Sequence, residues 1–167
     1  HACVLFRGES FSFVIDPWIV GSALSTGWWP SLPRRSDWVE VVNKCDFIYI
    51  SHNHADHLHK HTLSKVRPDM NFYVPRFASD SVRKALIKFG FKNVEYLEFK
   101  KVYSLEKDGD FEISCLKSGD HREDSGFYFR YGAFDFINTI DANLVNNDRF
   151  PHKATIFACN IHIGSGE

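Results

Sequence analysis

Several things are scarce in this chain of 167 residues. Its four cysteines, Cys3, Cys45, Cys115 and Cys159, are spread over the whole length and form no C-x-x-C pair. That spacing argues against a thiolate zinc knuckle and against a disulfide-dense secreted scaffold, and it fits a reducing, cytoplasmic compartment. Neither sign of charge is in excess: 20 Lys plus Arg stand against 21 Asp plus Glu, so nothing marks nucleic acid or anionic lipid as the partner. Internal repeats and low-complexity tracts are missing, as are an initiator Met and a charged-then-apolar leader. With 44% hydrophobic and 25% charged residues the composition is that of a globular domain, not of a disordered tail, a collagen-like polymer or a membrane protein. The chain opens on His1 and stops at Glu167 soon after an apolar run. The expectation is therefore a single domain over 1–167, truncated at both ends from a longer polypeptide.

What is plentiful is histidine and phenylalanine, 9 and 16 residues, and five of the histidines fall between positions 52 and 61. The element order tells where that cluster sits. Turn residues cut the first part into extended pieces at 2–6 and 11–15 around a hairpin turn at 7–10, and Asp16-Pro17 ends the second piece because proline cannot extend a ladder through its nitrogen. Residues 18–33 hold no period and carry Gly21, Gly27, Pro30, Pro33 and the pair Trp28-Trp29, which reads as a long ordered loop. Ser36 and Asp37 mark a helix start, followed by Trp38, Val41, Val42 and Cys45 at the spacing of a buried helical face. A buried strand at 46–51 leads straight into His52. A short helix at 61–66, a strand at 71–74 and a helix at 79–89 stopped by Gly90 follow. The remainder reads as strands at 94–99, 102–105, 111–116, 127–131, 134–138 and 154–159, with a turn at Lys107, Asp108 and Gly109 and a polar loop at 117–125. Strands alternating with helices and then an antiparallel meander predict a mixed α/β layer protein.

His52-Asn53-His54-Ala55-Asp56-His57 offers four potential ligands within six residues, directly after a buried strand. The strand fixes the backbone while the loop aims the side chains, so His52 and His54 can reach one ion and Asp56 and His57 a neighbouring position. Imidazole and carboxylate suit one or two divalent ions; zinc is the first choice, and Fe(II) or Mn(II) is compatible with the same donors. The competing reading is a solvated polar loop. His59 and His61 lie in or near the next helix, where a solvated or capping role competes evenly with ligation.

The pattern His52-x-His54-x-Asp56-His57 after a strand resembles the signature of the metallo-β-lactamase superfamily. Other positions agree in order: Asp16 after an early strand, His121 in a later loop and Asp141 after a further strand. Within the superfamily, Asp16-Pro17-Trp18, Gly27-Trp28-Trp29, Ser36-Asp37-Trp38, Ile48-Tyr49-Ile50-Ser51-His52, Asp56-His57-Leu58 and Asn138-Thr139-Ile140-Asp141 look most similar to the CMP-N-acetylneuraminate hydroxylase group, from about residue 2 to 160. The resemblance implies an αββα sandwich, here incomplete, with His52, His54 and His121 on a first metal, Asp56 and His57 on a second, and Asp141 bridging. Asp56 and His57 are then the catalytic candidates, and Asp16 orients a ligand from behind. A strand-ending turn competes at Asp16, a plain polar loop at His121 and an Asx turn at Asp141. Trp18, Trp28 and Trp29 are either a wall of the site mouth or loop packing, and Arg122 either an anion receptor or a salt-bridge partner of Glu123 or Asp124. Of the histidines beyond Asp141, His152 and His162, only His162 is placed to approach the site, so a further ligand is expected outside these residues.

Three functions follow from these features. The leading expectation is a metal-dependent hydrolase that activates water for attack on a small molecule, an anionic one included, with no nucleic acid or membrane partner. The alternative is the metal-binding component of an oxygenase related to the sialic acid hydroxylases. That group carries a Rieske domain, and no C-x-H with a later C-x-x-H occurs here, so the cluster would have to lie upstream of His1 or on another chain. The third is a non-catalytic half-domain completed by a homo-oligomer or by the missing C-terminal half.

Overall fold

In the computed structural model residues 3–9, 11–31, 33–105, 111–143 and 154–159 are described. They fall into two compact units, His1–Glu98 and Phe99–Glu167. The hairpin turn at Ser10, the turn at 107–109, His152 and His162 lie at least partly outside the described residues.

The first unit is built on one five-stranded sheet. β1 (Val4–Arg7) and β2 (Ser12–Ile15) pair antiparallel, and β3 (Phe47–Tyr49), β4 (Asn71–Pro75) and β5 (Asn93–Leu97) are then added in sequence order, each parallel to the strand before it. Parallel neighbours require crossovers, and these carry α1 (Trp38–Asn43), α2 (Lys60–Leu63) and α3 (Ser81–Lys88). One face of the sheet, with Val14, Ile48, Ile50, Phe72 and Val74, shares a core with Trp38, Val42, Leu63, Val66, Val82 and Leu86 from the crossovers. On the other face Phe13 and Phe47, partners across β2 and β3, stack with centroids 4.9 Å apart, and Tyr73 meets Phe47 edge-on at 5.0 Å. β3 is short, apolar and buried on both faces, which is why 46–51 reads as a continuous hydrophobic run rather than an alternating one. The helix expected over 61–66 is regular only over Lys60–Leu63 and then passes into turns.

The second unit is a meander of β6 (Tyr103–Ser104), β7 (Phe111–Lys117), β8 (Ser125–Tyr131) and β9 (Phe134–Asn138), with β10 (Ile156–Ala158) added parallel to β9. Gly132 takes φ +56° at the first position of the two-residue turn joining β8 to β9, a conformation a side chain would strain. Gly126 is required for a different reason, since a Cβ there would lie 2.8 Å from the Asn138 carbonyl oxygen. Among the described residues no helix is long and apolar enough to cross a membrane. The mixed α/β character predicted from the sequence is present, among the described residues, in two sheets and three helices.

Candidate metal centre

The register of β2 against β3 sets up the site. Ile15 pairs with Tyr49, so both strands end at the same level and the residues that follow leave the sheet side by side. The carboxyl edge of parallel strands is where such sheets place their ligands. Asp16 turns there with φ +42°, in the left-handed region, a conformation that costs on the order of 1–3 kcal/mol and persists only where neighbours over-determine it. They do so here. The Asp16 N–H donates to the Tyr49 carbonyl (2.9 Å), Asp16 Oδ1 accepts the Ser51 N–H (2.8 Å), and Oδ2 accepts both the Ser51 hydroxyl (2.6 Å) and His57 Nδ1 (2.8 Å). Asp16 thus ends the strand in a turn and holds the His57 ring and Ser51 by hydrogen bonds.

These bonds define which ring nitrogens carry protons. An ionised carboxylate only accepts, so His57 holds its proton on Nδ1 and turns the Nε2 lone pair the other way. Ser51 has spent its single hydroxyl hydrogen on Asp16, so at 2.9 Å from His52 Nδ1 it accepts, and His52 is likewise protonated on Nδ1 with the lone pair on Nε2. Both rings are almost fully buried.

The donor atoms then converge. His52 Nε2 lies 2.9 Å from Nδ1 of the exposed His54, and the His52 ring centroid is 4.5 Å from that of His54 and 4.1 Å from that of His57. His57 Nε2 faces Asp56 Oδ2 at 3.3 Å, a lone pair against a carboxylate oxygen that calls for a cation or a second ring proton between them. A helical turn holds the motif in this shape, the His54 carbonyl accepting the N–H groups of His57 (3.0 Å) and Leu58 (2.8 Å). Within the first unit the structure therefore brings together Asp16, His52, His54, Asp56 and His57, and this set of neutral imidazoles plus carboxylate fits a divalent ion.

His59 and His61 stand apart from that set. His59 caps α2: its Nδ1 accepts the Thr62 N–H (3.2 Å) while Nε2 donates to the Ser22 carbonyl (3.1 Å). Burial lowers its pKa below the usual histidine value against the opposing bond to Ser22. His61 is exposed on α2. Trp18 is buried, with its indole N–H on the Gly21 carbonyl (3.0 Å), whereas Trp28 and Trp29 are 54% and 65% exposed.

In the second unit His121 is exposed in the loop between β7 and β8. Arg122 is taken up by Asp120 (2.8 Å) and Asp124 (3.3 Å), which supports the salt-bridge reading with Asp120 as the added partner, and the bond to Asp120 raises its pKa. Asp141 follows β9 and is half-buried. Asn138 makes an Asx turn just before it, its Oδ1 accepting the Ile140 N–H (3.0 Å) and helping to hold a β-branched residue at φ +55°. Two residues of the first unit escaped the sequence reading. By pattern alone Ser51 is the end of a strand, and Thr62, whose hydroxyl accepts the N–H groups of Ile19 (3.0 Å) and Val20 (3.4 Å), an ordinary helix position.

A parallel sheet with its histidines and carboxylates gathered at the carboxyl ends of β2 and β3 is the architecture of a metallo-β-lactamase-type protein. Residues 1–142 match the family described as Beta-lactamase superfamily domain, and the chain belongs to that superfamily. It is 33% identical over 165 residues to the cytidine monophosphate-N-acetylneuraminic acid hydroxylase of Mus musculus, covering 93% of this chain and 28% of that protein. The hydroxylase of Sus scrofa is 34% identical over 162 residues, with 93% and 37% covered, so the chain spans only about a third of these relatives. Among solved structures, CmlA, a diiron beta-hydroxylase from Streptomyces venezuelae, superposes with a TM-score of 0.63 at 24% identity over 85% of this chain and 28% of its own. Isothiocyanate hydrolase from Delia radicum gut bacteria gives 0.61 at 18% identity over 83% and 58%. These two likenesses establish the fold.

Proposed function

We propose that this chain carries the metal-holding part of an oxygenase of the cytidine monophosphate-N-acetylneuraminic acid hydroxylase kind, supplied with electrons by a Rieske-type iron–sulfur domain that is not among these 167 residues. The observation that carries the proposal is the pair of rings with set tautomers, His52 and His57, inside a segment one-third identical to those hydroxylases. His52, His54 and His57 hold the ion through nitrogen, with Asp56 beside them; His121 and Asp141 join as ligands on the superfamily pattern alone. Iron replaces zinc as the metal of choice, because Zn(II) has no redox chemistry.

Hydroxylation places one oxygen atom of O2 in a C–H bond and releases the other as water, consuming two electrons and two protons, and a bound iron supplies the O2 activation. The chain's own contribution is binding and orientation. Asp16 and Ser51 hold two rings with Nε2 turned away from them, ready to meet an ion, and the burial of His52 and His57 keeps bulk water from their bonds to Asp16 and Ser51. The relatives' named substrate carries a phosphate and a carboxylate, and an anionic small molecule is the substrate class proposed for this chain. The four free cysteines fit a reducing, cytoplasmic setting.

A water-activating hydrolase is the second reading, favoured by the neutral imidazole donors, which leave an ion its full charge to acidify a bound water. The full-length protein loaded with Fe(II) and given the CMP-linked sialic acid, O2 and an electron donor separates the two. The oxygenase reading expects O2 uptake matched to hydroxylated product and lost in His52→Ala. Cleavage of the substrate with no O2 uptake would replace it with the hydrolase.

A further inference from the structure

We infer that Ser51 is a positioning residue of this centre, its hydroxyl acting as a one-bond relay that lets Asp16 set the tautomer of His52 as well as that of His57. The relay is built from three contacts. Asp16 Oδ1 takes the Ser51 backbone N–H at 2.8 Å, which fixes the residue against the carboxylate. Asp16 Oδ2 takes the Ser51 hydroxyl at 2.6 Å, a short bond of the kind made to an ionised acceptor. The hydroxyl oxygen then has only lone pairs to offer His52 Nδ1 at 2.9 Å.

Ser51, Asp16 and His52 are each at most 1% exposed, so bulk solvent is kept from this chain of bonds. One carboxylate oxygen thus sets two rings, His57 directly and His52 through a hydroxyl, and both turn Nε2 away from Asp16. The two branches are separable. Removing the hydroxyl cuts the His52 branch and leaves the direct bond to His57 in place.

The consequence for metal binding rests on the metal-centre reading, but the tautomer does not, and the experiment reads the two separately. In metal-free, full-length protein labelled with 15N-histidine, at a pH about two units above the ordinary histidine value, ring nitrogen shifts report which nitrogen is protonated. Wild type is expected to hold His52 and His57 on Nδ1–H. Ser51→Ala is expected to move His52 toward the Nε2–H form while His57 keeps its own, and Ser51→Thr, which restores the hydroxyl, to return His52 to wild-type behaviour. Titration with Co(II) alone, followed by its visible absorption, should show binding about tenfold weaker in Ser51→Ala and near wild type in Ser51→Thr.

A folded Ser51→Ala protein with His52 still on Nδ1–H overturns the inference. So does wild-type His52 found on Nε2–H, a result that needs no variant to fold. If wild type binds no Co(II) while the tautomer shift occurs, the relay stands and the metal-centre reading fails.

Discussion

Asp16 is the residue on which most of the first unit's site depends. Its two oxygens accept three hydrogen bonds, two from Ser51 and one from His57, in a region closed to water, while its own backbone sits at φ +42°. Asparagine has the same shape and tolerates the left-handed region, so Asp16→Asn isolates the charge and the acceptor count. With the amide oxygen kept on the Ser51 N–H, the NH2 takes the place of Oδ2, and the Ser51 hydroxyl and His57 can meet it only by turning a lone pair toward it, which moves His57 to the Nε2–H form. Bonds to a charged acceptor are exchanged for neutral ones, so Asp16→Asn is expected to lose about 1–2 kcal/mol in urea unfolding and to shift the His57 tautomer. Unchanged stability with His57 still on Nδ1–H would mean that the rings and Ser51 are held by packing rather than by these bonds.

At the scale of elements the weakest piece is α2, four residues long and far too short to stand by itself. It is held at its start by the His59 cap and from the side by Thr62, whose hydroxyl binds the backbone of Ile19 and Val20 in the long loop after β2. Thr62→Val keeps the volume and removes the hydroxyl. The expected result is a loss of about 1–3 kcal/mol together with faster amide exchange at Ile19 and Val20, and unchanged exchange there would show that the loop does not depend on the helix. The elements themselves were legible because their signals are local. Helical spacing at Trp38, Val41 and Val42, the apolar run into His52 and the stop at Gly90 need no knowledge of distant residues. The histidine motif was legible for the same reason. Ser51 was not, since a serine after a strand looks like any loop entry until the Ile15 to Tyr49 register brings Asp16 beside it. The exposure of Trp28 and Trp29 escaped likewise, because composition gives aromatic content and not the direction a loop turns it.

The molecule as a whole offers two reporters and one global test. Cys45 in the first unit and Cys115 in the second are buried, and burial raises the pKa of Cys45, which removes thiolate. Alkylation mapped by mass spectrometry is expected to spare both until denaturant opens the unit concerned, while the exposed Cys159 reacts at once. Rapid labelling of Cys45 in native conditions would contradict the packing of the first unit. A divalent ion acts on all of this through mass action, because an ion that binds only the folded protein stabilises it by RT ln(1 + [L]/Kd), about 2.7 kcal/mol at a hundredfold excess over Kd. Fe(II) or Zn(II) added to chelator-treated protein should therefore raise Tm by several degrees. His54 is the residue for testing this, since it is exposed and its substitution removes a proposed ligand without opening the core. His54→Ala should melt with the metal-free wild type and lose most of the ion-induced rise. An undiminished rise would move the ion away from the His52 to His57 motif, and no rise in wild type would leave Asp56 and His57 as an ion pair closed by a ring proton.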